Sequence, residues 1–295
     1  MLGTERTVHI GEERVSVIDY GGSGVDVLLV HSPGYCAPAW DFVAKALGGR
    51  VHAYAVDLPG HGHSGGDLVG AAETRGLIAE VAAALELDRP VLVGVDFAGY
   101  YVLAIAAERP SLPRAVVSVG GFALRDRAAS QDVLDFAGSQ EMASDMRSRF
   151  HFGVQGSEQS KRDELVDDLV ARGGRDWLLV DLEQSGLRIE VQWSLRELPD
   201  GSWLHLPRPS SVQAGYRVSP DDPFFPEPGL FDKVEAPTWL VISLGGQDDD
   251  LVDSGRRVSQ AHDNVTFVKI DGGFSPHYKA FDVLADLVLE AAETP

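Results

Sequence analysis

Apolar residues along this chain gather into short β-branched runs, with helically spaced stretches between them. Val25–Val30, Val51–Val56, Val91–Val95 and Ala115–Val119 are nearly continuous in apolar residues, the pattern of strands buried on both faces of a parallel sheet. Trp40–Leu47 and Thr74–Leu87 carry helical spacing between them, so strand and helix alternate as in an α/β protein. Thr7–Ile10 and Arg14–Tyr20 flank Gly11-Glu12-Glu13 and predict an opening hairpin. Two further strands are expected late, at Thr238–Ser243 and Val265–Ile270, followed by an amphipathic helix over Ala280–Ala292.

The pattern changes between about Phe122 and Phe231. Helical segments at Gln131–Arg149, Glu158–Arg172 and Trp177–Leu187 are rich in Asp, Arg and Gln, and a proline-rich return runs from Pro207 to Pro228. Strands resume only at Thr238. The stretch therefore reads as a helical lid, 123–230, inserted into a core made of 1–122 and 231–295. Its aromatics, Trp177, Trp193, Trp203 and Tyr216, suit the walls of an apolar substrate pocket.

Composition narrows the field of partners. With 295 residues the chain can hold one large α/β domain carrying an insertion, or two smaller domains. A net charge of −20, from 45 acidic against 25 basic residues, repels phosphate backbones and anionic membranes, so neither nucleic acid nor membrane is expected as a partner. Cys36 stands alone and cannot form an internal disulfide. No apolar segment follows a basic start and no long apolar run occurs, so a cytoplasmic protein is expected, with a homodimer compatible.

The most informative stretch is Gly94-Val95-Asp96-Phe97-Ala98-Gly99. It follows the strand run Val91–Val93 and precedes the helical run Tyr101–Ala107, the strand–turn–helix setting of a nucleophile elbow, with aspartate where serine is usual. Four other loops fall in a telling order: His31-Ser32-Pro33-Gly34, then Asp57-Leu58-Pro59-Gly60-His61-Gly62-His63-Ser64, then Gly246-Gln247-Asp248-Asp249, then Asp271-Gly272-Gly273-Phe274-Ser275-Pro276-His277-Tyr278.

In these motifs and their order the chain resembles the α/β-hydrolase-fold superfamily over nearly its whole length. The resemblance implies a mostly parallel eight-stranded sheet flanked by helices, with an inserted helical lid. An elbow aspartate is the mark of epoxide hydrolases and haloalkane or haloacid dehalogenases. A carboxylate is ionised at pH 7 and attacks an sp³ carbon directly, and a histidine then activates the water that cleaves the resulting ester. The resemblance makes Asp96 the reacting carboxylate and Asp249 the acid supporting a histidine, with Asp248, Asp250 and Asp126 as alternatives. It makes the Phe97 N–H one oxyanion donor. The second falls on Pro33, which has no N–H, or in a shifted register on Gly34.

The family's catalytic histidine position is occupied by Phe274, which can neither accept a proton nor activate water. Four readings follow: His277 serves as the base; Asp96 acts as general acid or base with a pKa raised by burial; Phe274 is an engineered trap for the ester; or the site binds a ligand without chemistry. The leading reading is a cofactor-free enzyme of specialised metabolism acting on a small, largely apolar molecule by cyclisation, isomerisation, elimination or intramolecular epoxide opening. Ester-forming hydrolysis is the alternative. Tyr100, Tyr101, Trp40, Trp177 and Trp193 are expected pocket walls, with Tyr100 a donor to substrate oxygen. His31, His61 and His63 are expected to brace loops. His151, His205 and His262 lack metal-ligand spacing, so no metal is expected. No phosphate-binding glycine fingerprint is present, so no nucleotide cofactor is expected.

Overall fold

The computed structural model describes residues 3–173, 184–244 and 249–294. Its strands, in chain order, are β1 (Thr4–Ile10), β2 (Glu13–Asp19), β3 (Asp26–Val30), β4 (His52–Val56), β5 (Val91–Val95), β6 (Ala115–Val119), β7 (Gln155–Gly156), β8 (Leu195–Glu197), β9 (Trp203–His205), β10 (Thr238–Leu244) and β11 (Val265–Asp271). Eight of them form one sheet in the order β1-β2-β4-β3-β5-β6-β10-β11. Only the β1–β2 and β2–β4 pairings are antiparallel, so the opening hairpin edges an otherwise parallel sheet. The apolar runs of the sequence map onto these strands within a residue or two.

Burial on both faces explains why those runs are continuous. Val91, Val93 and Val95 of β5 pack on one side of the sheet, while Leu92 packs on the other. The first side is covered by α1 (Asp41–Leu47) and α11 (Phe281–Ala292), which contact each other. The second is covered by α2 (Ala71–Ala84) and α3 (Phe97–Glu108). Helix α3 is buried from Phe97 through Ala106. Its first turn lies so close to β5 that a Cβ on Gly94 would overlap the Ala98 carbonyl, so only glycine fits there.

The segment between β6 and β10 contains α4 (Arg127–Ala137), α5 (Gln140–Phe150), α6 (Gln159–Gly173), α7 (Gln184–Trp193) and α8 (Pro209–Gly215). Two sequence expectations change here. The single helix expected over Gln131–Arg149 is two, because Ser139 caps a new start by accepting the Met142 N–H at 3.1 Å. The segment is also not purely helical: β7, β9 and β8 pair antiparallel in a small second sheet. Strands of two or three residues carry too little alternation to register in a sequence pattern. The helix expected over Trp177–Leu187 begins, within the described residues, at Gln184. A buried ion pair holds the proline-rich return to the core, with Arg75 Nη2 of α2 3.0 Å from Asp222 Oδ2. Two helices complete the chain order, α9 (Asp249–Ala261) and α10 (Pro276–Lys279), the latter preceding α11. Among the described residues, no helix is long and apolar enough to cross a membrane.

Candidate active site

Asp96 occupies the turn between the last residue of β5 and the first of α3, with φ 56° and ψ −125°. A non-glycine residue rarely takes such a conformation, and it persists only where surrounding packing enforces it. Gly120, at the end of β6, supplies part of that packing: a Cβ there would stand 2.9 Å from Asp96 Cα. The strained turn lifts the carboxylate out of the strand-to-helix corner.

Two hydroxyls meet this carboxylate. Ser32 Oγ, just beyond β3, donates to Asp96 Oδ2 at 2.8 Å. The Tyr216 hydroxyl, from the end of α8, donates to the same oxygen at 3.4 Å. Burial raises the Asp96 pKa, and hydrogen bonds from Ser32, the Phe97 amide and Tyr216 offset part of that rise without cancelling it. Tyr35 is close enough for the Asp96 charge to raise its phenol, after the larger effect of burial. Its hydroxyl lies 3.3 Å from Ser275 Oγ on the loop after β11. Asp96, Tyr35 and Tyr216 are half-buried, whereas Ser32 and Phe97 are fully enclosed behind them.

The backbone donors expected of an oxyanion hole are otherwise engaged. The Phe97 N–H donates to Ser32 Oγ at 3.3 Å. Pro33 has no N–H, and the Gly34 N–H donates to His61 Nε2 at 3.0 Å. Because Nε2 accepts, the neutral ring carries its proton on Nδ1, which donates to the Pro59 carbonyl at 2.9 Å. His31 works the same way, accepting the Leu58 N–H at 3.0 Å and donating to the Ser32 carbonyl at 2.9 Å. Burial lowers both pKa values, that of His61 to about 4. These imidazoles brace the two loops, as expected.

The other sequence candidates have surroundings of their own. Phe274 is 39% exposed on the loop after β11. His277 is fully buried on α10 between Tyr35 and Trp40, with ring centroids 5.2 Å and 5.7 Å away, and neither ring nitrogen has a hydrogen-bond partner. Burial alone pushes its pKa down to about 3. It therefore makes no hydrogen bond with Asp96, as the role of its base would require. Tyr100 is fully buried, and its hydroxyl meets Arg75 Nη1 at 2.8 Å between α2 and α3 rather than the Asp96 carboxylate. Tyr101 is committed to the Gly215 carbonyl. Asp126 caps α4 by accepting the Ala129 N–H at 2.9 Å. Asp249 begins α9, but its side chain lies outside the described residues, as do Asp248 and Trp177. Asp250 is exposed.

Trp193 does not wall the Asp96 site. Its indole N–H donates to Asp57 Oδ2 at 2.7 Å and its ring stacks on His63 at 3.8 Å. Nearby on α7, buried Glu190 accepts from Cys36 Sγ at 3.8 Å. Burial, with Asp41 and Asp57 nearby, pushes the Glu190 pKa up to about 8. A cleft of about 600 Å³ in the inserted segment is lined by residues such as His151, Glu158, Leu165 and Trp203, and by none of the Asp96 group. Among the described residues, no three His, Cys, Asp or Glu side chains cluster as a metal would require.

Sequence reasoning set Tyr216 among the lid aromatics suited to a pocket wall, and missed Ser32 and Tyr35 as neighbours of Asp96. Ser32 carried the one usable signal, a hydroxyl beside Pro33 in the loop expected to hold an oxyanion donor. Tyr216 lies 120 residues from Asp96 and reaches it only through folding.

The profile of the Alpha/beta hydrolase family matches residues 27–287. The chain is 35% identical over 111 residues to an esterase, Rv0045c, of Mycobacterium tuberculosis, covering 36% of each protein. It is 37% identical over 110 residues to N-formylmaleamate deformylase of Pseudomonas putida, covering 35% of this chain and 40% of that one. Each match therefore spans well under half of the relative's own length. Among solved structures, the thioesterase domain from the curacin biosynthetic pathway superposes with a TM-score of 0.72 at 19% identity, over 97% of this chain and 99% of that one. At that identity the likeness concerns the fold.

Proposed function

The chain belongs to the Alpha/beta hydrolase family, and from that premise we propose that it is an enzyme whose Asp96 acts as general acid and base on a small, largely apolar organic molecule. The observation that carries this reading is the hydrogen bond from Ser32 Oγ to Asp96 Oδ2 at 2.8 Å, in a site where no histidine bonds to Asp96 among the described residues. A carboxyl group of raised pKa trades protons near neutral pH more readily than an ordinary aspartate. It needs no imidazole to do so, whereas an ester on Asp96 would need one for its release.

Two reaction types are open to such a group. Hydrolysis, with Asp96 drawing a proton from the attacking water, is favoured by the esterase and deformylase relatives. Proton transfer without added water, as in isomerisation, cyclisation or elimination, is favoured by Phe274 at the histidine position and by the engaged N–H groups of Phe97 and Gly34. Asp96→Asn is expected to lower turnover by about a thousandfold or more under either type. Intact-mass measurement after exposure to epoxides and alkyl halides is expected to show no adduct. Full turnover by Asp96→Asn defeats the reading, and a stable adduct on Asp96 replaces it with nucleophilic attack.

A further inference from the structure

The polar atoms that a substrate meets in this site are few. Ser32 and Phe97 are fully buried, and their hydroxyl and amide are bonded to Asp96 and to each other. The half-buried polar side chains are Asp96, Tyr35 and Tyr216. Tyr216 stands 3.4 Å from the carboxylate. Tyr35 is fixed by Ser275 at 3.3 Å and feels the Asp96 charge. Both phenols are held in the neutral, donating form, chiefly by burial. Near Tyr216 the half-buried ring of Phe122 lies 6.3 Å away, and the fully buried Phe97 ring backs Tyr216 at 4.5 Å.

One carboxylate beside two neutral phenols suits a particular reaction. The carboxylate removes a proton from carbon, and the phenols donate to the oxygen on which the electron pair comes to rest. We propose that the substrate class is a neutral carbonyl compound with an acidic α-C–H, and that the site enolises it, with Tyr216 and Tyr35 as the oxyanion donors. This deepens the proposed role of Asp96 and rests on it.

The step balances without a co-reactant. Asp96 takes the α-proton as the C–H bond breaks. That electron pair becomes the C=C bond of the enolate, and the carbonyl π pair moves to oxygen, where the phenols hold it. Protonated Asp96 then returns its proton to the same carbon or, in a conjugated system, to a more distant one, leaving an isomer and an ionised carboxylate. Neutral substrates are specified because, among the described residues, no Lys or Arg donates to Asp96, Tyr35 or Tyr216. A substrate anion would meet the Asp96 charge without a counter-charge. Ester cleavage, by contrast, calls for the backbone donors that Ser32 and His61 already occupy.

The test follows deuterium uptake by proton NMR in D₂O near neutral pD, with 2-indanone, 2-tetralone and cyclohex-3-enone as probes. The wild-type chain is expected to speed α-exchange of at least one probe by about 100-fold over buffer, and Asp96→Asn to return it to the buffer rate. Tyr216→Phe and Tyr35→Phe are each expected to lower kcat by about 10²-fold with a smaller change in KM, as for loss of one oxyanion donor. Near-UV circular dichroism confirms that these variants are folded, and the comparison of wild type with Asp96→Asn stands without them. Absence of Asp96-dependent exchange with all three probes overturns the enolisation. If Asp96-dependent turnover of esters or epoxides is then found, the role of Asp96 survives. Turnover that persists in Asp96→Asn removes both.

Discussion

The Ser32 hydroxyl donates to Asp96 Oδ2 at 2.8 Å while accepting the Phe97 N–H at 3.3 Å. It thus holds the Asp96 carboxylate and occupies the backbone donor beside it. Ser32→Ala removes a donor that favours ionised Asp96, so the Asp96 pKa rises further above its ordinary value. In the proposed role Asp96 works ionised, as a base, so activity climbs with pH through that pKa. The rising limb of the pH–rate profile is expected to move to higher pH, with kcat at pH 7 falling about tenfold, for loss of a hydrogen bond to a charged group. An unmoved limb refutes the assignment.

Restoring serine-hydrolase residues alone is expected to fail. Asp96→Ser with Phe274→His supplies a nucleophile and a histidine, yet Ser32 still occupies the Phe97 N–H. Adding Ser32→Gly releases that donor. The triple variant is expected to hydrolyse 4-nitrophenyl acetate about 10²-fold faster than the double variant, the usual worth of one oxyanion-hole donor. Equal rates would show that the Phe97 amide is not the limiting element.

Glu190 gives a signed prediction for stability. Its pKa is pushed up to about 8 in the fold from an ordinary value of 4.5. Between these values the folded chain holds a proton that the unfolded chain releases, so stability falls as pH rises from about 4.5 to about 8. Glu190→Gln keeps the shape and cannot ionise. Its melting temperature is expected to match the wild type near pH 4.5 and to exceed it at pH 8 and above.

The Arg75–Asp222 pair should behave as a buried ion pair does when one partner is removed. Both side chains are almost fully enclosed, at 3% and 6% exposure. Asp222→Ala leaves the guanidinium buried without its main counter-charge and is expected to cost about 3–5 kcal/mol in urea unfolding. Replacing both residues, Arg75→Met with Asp222→Leu, is expected to cost less than the single change.

The parts of this molecule legible in its sequence are those encoded locally. Val91–Val95 announces a strand because both of its faces are buried, and Gly94 beside Asp96 marks the corner because nothing larger fits. The companions of Asp96 were less accessible. Tyr100 was an attractive donor in sequence, but it stands one turn beyond Phe97 on α3 and its hydroxyl meets Arg75 of α2 rather than the carboxylate. Tyr216 became a neighbour of Asp96 only when the proline-rich return was laid against the core.

Tyr216 belongs to the inserted segment, while Tyr35 and Asp96 belong to the sheet-borne loops. One phenol of the site is therefore carried by the same stretch of chain that covers it. In the proposed enolisation, moving that stretch away would remove an oxyanion donor together with its cover. By the same proposal, a substrate too bulky to let Tyr216 settle would be held without being transformed, so fit over the elbow would select for reaction as well as for binding.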